Sequence, residues 1–196
     1  MSDANLTKLA LAQSLKDLMV RKNFARISVS DISEHCGLTR QTFYYHFKDK
    51  YDLMNWIYVT ETAPFMYNNK DMGQWKEGLQ ALCNYMRLNK IFYLNALNTT
   101  GQNSFQEYLH DYTRDITRTV IGNIGNTDLD EESLAFIADV IAVIFVSLTQ
   151  RWAHNGMKED PSEYIIKLTG LFDGRLLRAL EKQEIRINKE NNAEIE

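Results

Sequence analysis

The sequence predicts an all-α protein, and three observations carry that expectation. Apolar residues recur every three to four positions through most of the 196 residues. Two prolines and nine glycines are too few for a turn-rich β-sandwich. Helix start signals also recur ahead of the apolar runs, at Ser28, Thr39, Asp49 and Asp160-Pro161.

The elements follow in order. Leu6, Leu9, Ala10, Leu15, Leu18 and Met19 predict a first helix ending near Arg21 to Asn23. Ser28-Val29-Ser30-Asp31 reads as a capping box that opens a short helix with Ile32 and Cys36 inward. Gly37 stops that helix, at a position suited to the left-handed conformation. Thr39 caps the next helix, whose buried face carries Phe43 and Phe47 behind Leu38. Asp49 caps a fourth helix, through Leu53, Met54 and Ile57, that is expected to end before Pro64. Beyond the polar connector Asn68 to Gly73, helices are expected near 74–89, 90–100, 103–122, 130–155 and 161–184. The resulting division is a head at 1–63, a helical body at 64–184 and a polar tail at 185–196.

A 22.8 kDa chain can bury roughly 70% of its unfolded surface, so no staple is needed. Its net charge of −4 argues against nucleic acid coating the whole surface. The first fifty residues nevertheless carry eight Lys/Arg against five acids, a basic head on an acidic body. Cys36 and Cys83 sit in apolar helical contexts and read as reduced core residues. Lys8 interrupts the apolar stretch after Leu6, so no secretory signal is expected. The longest apolar run, Val140 to Val146, falls short of the ~20 residues that span a bilayer. A cytoplasmic protein is the expectation.

Residues 28–47 have the dimensions of a helix-turn-helix, whose second helix enters the major groove of DNA. Arg40, Gln41, Thr42, Tyr44, Tyr45 and His46 lie opposite the Phe43/Phe47 stripe, and Lys50 follows at the next cap. Such groups hydrogen-bond base edges and phosphates. Spacing alone leaves a plain αα-hairpin with a solvated face equally open.

The stretch Val29-Ser-Asp-Ile-Ser-Glu-His-Cys-Gly-Leu-Thr-Arg-Gln-Thr-Phe-Tyr-Tyr-His-Phe-Lys-Asp-Lys-Tyr-Asp-Leu53 resembles the DNA-binding signature of the TetR family of bacterial transcription regulators. The resemblance covers about residues 5–60, and Tyr44 to Lys50 is its most specific part. It implies a three-helix head, a connecting fourth helix, and a helical C-terminal domain that dimerises and receives an effector. By position it places Thr39, Arg40, Gln41 and Thr42 on bases of a palindromic double-stranded operator. It places Tyr44, Tyr45, His46 and Lys50 on the phosphate backbone.

Past Pro64 two stretches remain familiar. Trp152 to Tyr164 resembles the family's junction between its last two helices. Asn89 to Asn98 with Gly101 to Tyr108 is similar to the subgroup that activates dihydroxyacetone kinase operons. That similarity implies activation, with dihydroxyacetone as the signal, received directly or through a partner protein. A repressor released by another small ligand is the alternative within the family.

Tyr93, Phe105, Tyr108, Tyr112 and Trp152 either line an effector cavity or fill the core; each ring taken singly reads as core. Asn95, His110 and His154 read as surface or satisfied polar residues. The helix 130–155 is apolar nearly all round and must be covered on more than one side. Gly170 and Gly174, four apart on the last helix, suit close backbone approach, and together these features predict a homodimer rather than a monomer with a thick core.

The sequence contains no G-x-S-x-G, H-E-x-x-H, paired C-x-x-C or phosphate loop, so neither an enzyme nor a cofactor is expected. Asp128 to Glu132 lacks the glycine and final glutamate of a calcium loop, and no metal site is expected. A helical protein-interaction module that binds no DNA is the competing class.

Overall fold

Side chains at the ends of the short helices decide where each one starts and stops. The structure, a computed structural model, describes residues 3–67, 75–99, 104–122 and 129–170. Helix α1 (Asp3–Arg21) buries Leu11, Ala12, Leu15 and Met19 along one stripe. Leu6 and Leu9 are 53% and 40% exposed, so the buried stripe begins later than the apolar periodicity predicts. A 3-10 turn at Phe24–Arg26 then redirects the chain.

In α2 (Val29–His35) the predicted capping box is complete. The Ser28 hydroxyl accepts the Asp31 N–H at 3.1 Å, and the Asp31 carboxylate accepts the Ser28 N–H at 2.8 Å. The helix closes in a Schellman turn: Gly37 N–H donates to Glu34 O and Leu38 N–H to Ser33 O, with Gly37 at φ +70°. Thr39 caps α3 (Arg40–His46), and Asp49 caps α4 (Lys50–Tyr67) by accepting the N–H groups of Tyr51 and Asp52.

The expected stop before Pro64 does not occur. Helix α4 runs through it to Tyr67. Proline removes the donor for the Thr60 carbonyl, but Thr60 and Pro64 are both exposed, so water can take the freed acceptor. Cys36 also departs from its expected core role. It caps α2 half-buried, its thiol 3.3 and 3.4 Å from the Ile32 and Ser33 carbonyls. Cys83 is buried as expected, and burial pushes its thiol up to about 12.

The body continues through α5 (Trp75–Leu88), α6 (Lys90–Leu97), α7 (Phe105–Gly122) and α8 (Glu131–His154). Helix α4 packs on α1, α5 and α7; α6 packs on α1, α7 and α8; α7 and α8 share the most extensive helix contact. Along α8 the buried residues Ala138, Ala142, Phe145, Thr149 and Trp152 form one face. Phe136, Val140 and Val143, spaced four and three apart, are exposed on another, with Phe136 70% exposed. By length and composition alone α8 could cross a bilayer, which the short run Val140–Val146 did not suggest. Its buried face is instead part of the body's core. A second Schellman turn, with Gly156 at φ +75°, ends it.

Residues 1–158 form one unit and 159–196 a second. Within the second, Asp160 accepts the Ser162 N–H at 2.9 Å to open α9 (Pro161–Gly170). The predicted continuation to 184, Gly174, the polar tail and the connector Asn68 to Gly73 lie outside the described residues.

Candidate nucleic-acid interface

The outward face of α3 exists because its inward face is pinned. Phe43 and Phe47 are buried with ring centroids 5.8 Å apart, and Phe47 meets Trp56 of α4 edge-on at 5.6 Å. The Lys8 ammonium lies 5.7 and 5.8 Å over those last two rings. Behind them the Ser14 hydroxyl of α1 donates to the Ile32 carbonyl of α2 at 2.7 Å, locking the first two helices together.

Opposite this anchor, Thr39, Arg40, Gln41, Tyr44 and Tyr45 are exposed, while Thr42 and His46 are half-buried. The Thr39 hydroxyl accepts the Thr42 N–H at 3.1 Å and lies 2.9 Å from the Thr42 hydroxyl. Tyr45 is 84% exposed and Tyr44 51%, so two aromatic rings with hydroxyl tips stand in solvent beside Arg40 and Gln41. The arrangement presents bidentate donors and acceptors at the first turn and phenol groups farther along, as a helix entering a major groove requires.

Lys50 is placed differently from its neighbours. Its ammonium donates to the carbonyls of Phe24, Ala25 and Ile27 at 2.9, 3.2 and 2.7 Å and sits 4.7 Å over the Phe24 ring. All three of its protons are engaged inside the head, and burial lowers its pKa from the usual lysine value. The sequence reading passed over Lys48, which is exposed just beyond α3. The signal for Lys48 was available: it follows Phe47 and falls off the Phe43/Phe47 stripe.

Four of the five proposed effector residues do come together, around a residue the sequence did not single out. Tyr58 of α4 is buried, and the rings of Tyr93, Phe105, Tyr108 and Tyr112 meet it edge-on at 5.3 to 6.4 Å. Tyr93 and Phe105 are fully buried, whereas Tyr108 and Tyr112 are half-buried and stack at 6.1 Å. Trp152 is buried on α8. Among the described residues the Tyr93 hydroxyl has no hydrogen-bond partner, and burial raises its pKa well above the usual phenol value. Burial likewise pushes Tyr108 up to about 12.

Among the polar residues, His110 Nε2 lies 3.3 Å from Asp139 and His154 Nδ1 lies 2.8 Å from the Gln150 carbonyl. Asn95 is engaged with the head through both ends of its amide. Among the described residues no group of His, Cys, Asp or Glu could hold a metal ion. Gly170 closes the described part of α9, half-buried.

Taken together, the capped helix-turn-helix and its outward polar helix define a DNA-binding regulator on a helical body. Sequence comparison agrees: residues 14–56 match the family of bacterial regulatory proteins described as the tetR family, and residues 73–174 match its transcriptional regulator C-terminal region. The chain belongs to the TetR family of DNA-binding transcription regulators, whose members are not enzymes. It is 36% identical over 93 residues, 47% of its own length, to the HTH-type dhaKLM operon transcriptional activator DhaS of Lactococcus lactis subsp. lactis (strain IL1403). The chain spans about half the length of that curated relative, 50%.

Solved structures share the fold. The dihydroxyacetone kinase operon activator DhaS superposes with a TM-score of 0.63 at 24% identity, covering 86% of this chain and 95% of that one. NalD, the secondary repressor of the MexAB-OprM multidrug efflux pump in Pseudomonas aeruginosa, gives 0.61 at 13% identity over 88% and 97%. Thermus thermophilus FadR in complex with lauroyl-CoA gives 0.60 at 15% identity over 84% and 92%.

Proposed function

We propose that this chain is a cytoplasmic, homodimeric regulator that binds a palindromic operator and activates a dihydroxyacetone kinase operon. The observation that carries the DNA reading is the outward face of α3, where Arg40, Gln41, Tyr44 and Tyr45 stand exposed on a helix anchored by Phe43 and Phe47. Thr39, Arg40, Gln41 and Thr42 read base edges in this proposal. Tyr44, Tyr45, His46 and Lys48 approach the backbone, and Lys50 serves the head's framework rather than a phosphate. Residues 1–63 act as the head, 64–184 as the signal-receiving and dimerising body, and 185–196 as a tail.

The activator assignment is supported by the 36% identity to DhaS over 93 residues. The signal is dihydroxyacetone, received either directly beside the Tyr93 hydroxyl, unpartnered among the described residues, or through a partner protein. Dimerisation is assigned to α8 and α9 (Pro161–Gly170), and on α8 the apolar stripe Phe136, Val140 and Val143, exposed among the described residues, supports it.

A binding-site selection with the unmodified protein and Gln41→Ala tests the DNA reading. Glutamine pairs bidentately with adenine for about 1–3 kcal/mol of discrimination, so Gln41→Ala should relax one position in each half-site. Uniform weakening with the preferred sequence intact refutes that role for Gln41. A promoter reporter with the native operon intact tests the signal; output that ignores dihydroxyacetone removes the activator assignment and leaves the operator reading standing.

A further inference from the structure

The corner between α1 and α2 is held by two helices at once. Helix α1 ends at Arg21, so its last carbonyls lack helical donors, and the first N–H of the following 3-10 turn lacks an acceptor. Asn95 of α6 supplies both. Its Oδ1 accepts the Phe24 N–H at 3.1 Å, and its Nδ2 donates to the Met19 carbonyl at 2.9 Å and to Lys22 O at 3.5 Å. From the other side Lys50 of α4 donates to the Phe24 carbonyl at 2.9 Å. Phe24 is therefore gripped at its N–H by the body and at its C=O by the start of α4, with its ring fully buried.

A primary amide is suited to this place because it offers a donor and an acceptor on one short, planar group. Aspartate would set a carboxylate against the Met19 carbonyl, and leucine would take the side-chain partner from two part-buried backbone groups. The corner feeds directly into Ser28 and α2, and α2 packs on α3. Because Ser14 locks α1 to α2 and α1 also packs on α3, a shift of this corner against α6 would carry the three helices together and re-aim the recognition helix with its side-chain array intact.

We propose that Asn95 is a positioning residue that sets the angle at which the head projects from the body, and through it the half-site spacing that a dimer accepts. The inference rests on the operator-binding, dimeric reading above. Two heads on one DNA face must meet half-sites about 34–36 Å apart or a multiple of that, so head angle is a spacing determinant.

The experiment is binding to duplexes bearing the selected half-sites at spacings varied base pair by base pair, and to a single half-site. Unmodified protein, Asn95→Leu and Asn95→Asp are compared, with thermal melting of each. The expected result is that both variants lose about tenfold of the preference for the optimal spacing, while base preference and single half-site affinity are retained. A merely structural role would lower melting temperature and weaken every duplex by the same factor, and that result overturns the inference. So does an unchanged spacing profile in a folded variant. If Asn95→Leu does not fold, the near-isosteric Asn95→Asp decides by the same criteria. A selection in which the unmodified protein recovers no paired sites overturns the operator reading and the inference with it; an unchanged spacing profile overturns the inference alone.

Discussion

The Lys16 ammonium lies 2.7 and 3.0 Å from the two carboxylate oxygens of Glu61, joining α1 of the head to α4 across 45 residues of sequence. The Tyr85 hydroxyl of α5 donates to the same carboxylate, and burial, reinforced by that hydrogen bond to Glu61, raises the tyrosine pKa. The Lys16 ammonium also lies 5.8 Å over the Phe92 ring of α6. One half-buried carboxylate therefore ties together three helices.

Glu61→Leu should destabilise the protein by about 1–3 kcal/mol, because Lys16 and the Tyr85 hydroxyl both lose their acceptor. In denaturant titrations the double variant with Lys16→Met should recover part of that loss. Strict additivity of the two single variants would show that the ion pair contributes no coupling.

Lys48 and Lys50 should separate cleanly on DNA. Lys50→Met removes the donor to three backbone carbonyls and should cost on the order of 1.5–3 kcal/mol of stability, with the salt dependence of operator binding unchanged. Lys48→Ala should leave stability intact and reduce the salt slope by about one unit per subunit. A slope change for Lys50→Met would return that lysine to the phosphate backbone.

Asp31 predicts one component of the acid limb of stability. Hydrogen bonds from the Ser28 backbone, then from its hydroxyl and from Lys22, hold the carboxyl at about 2 against an ordinary 3.8. The folded value is the lower one, so the contribution is complete above pH 3.8 and is lost as pH falls through about 2. Asp31→Ala should flatten the stability profile in that window and leave the slope above it unchanged. Urea midpoints measured across the acid range make the comparison.

Val143→Glu should place a charge in the uncovered stripe of α8 without touching the buried face of Ala138, Ala142 and Phe145. If the proposed dimer forms through this stripe, equilibrium sedimentation should show the unmodified protein as a dimer and the variant as a monomer, and operator affinity should fall with it. A variant that remains dimeric would move the interface away from this stripe.

The head was legible in the sequence because its determinants are local. Ser28 with Asp31, Gly37, Thr39 and Asp49 each act within one helical turn, and each sits where its residue type demands. Periodicity placed Phe43 and Phe47 inward, which turned Arg40, Gln41, Tyr44 and Tyr45 outward by geometry alone. Pro64 misled because the local rule omits exposure: a helix tolerates the missing bond where water reaches the freed carbonyl.

What only the tertiary structure decided was pairing between distant segments. Nothing in the spacing of Lys50 distinguishes an ammonium aimed at phosphate from one folded back onto the carbonyls of residues 24, 25 and 27. Tyr58 became the centre of the aromatic cluster only when α4 was laid against α6 and α7. Asn95 looked like any satisfied polar residue until α6 met the end of α1, 76 residues earlier. Local hydrogen bonds repeat at fixed offsets and can be read along the chain. A contact across some seventy residues has no offset, and depends on which helix faces the burial of Met19, Phe24 and Tyr93 brings together.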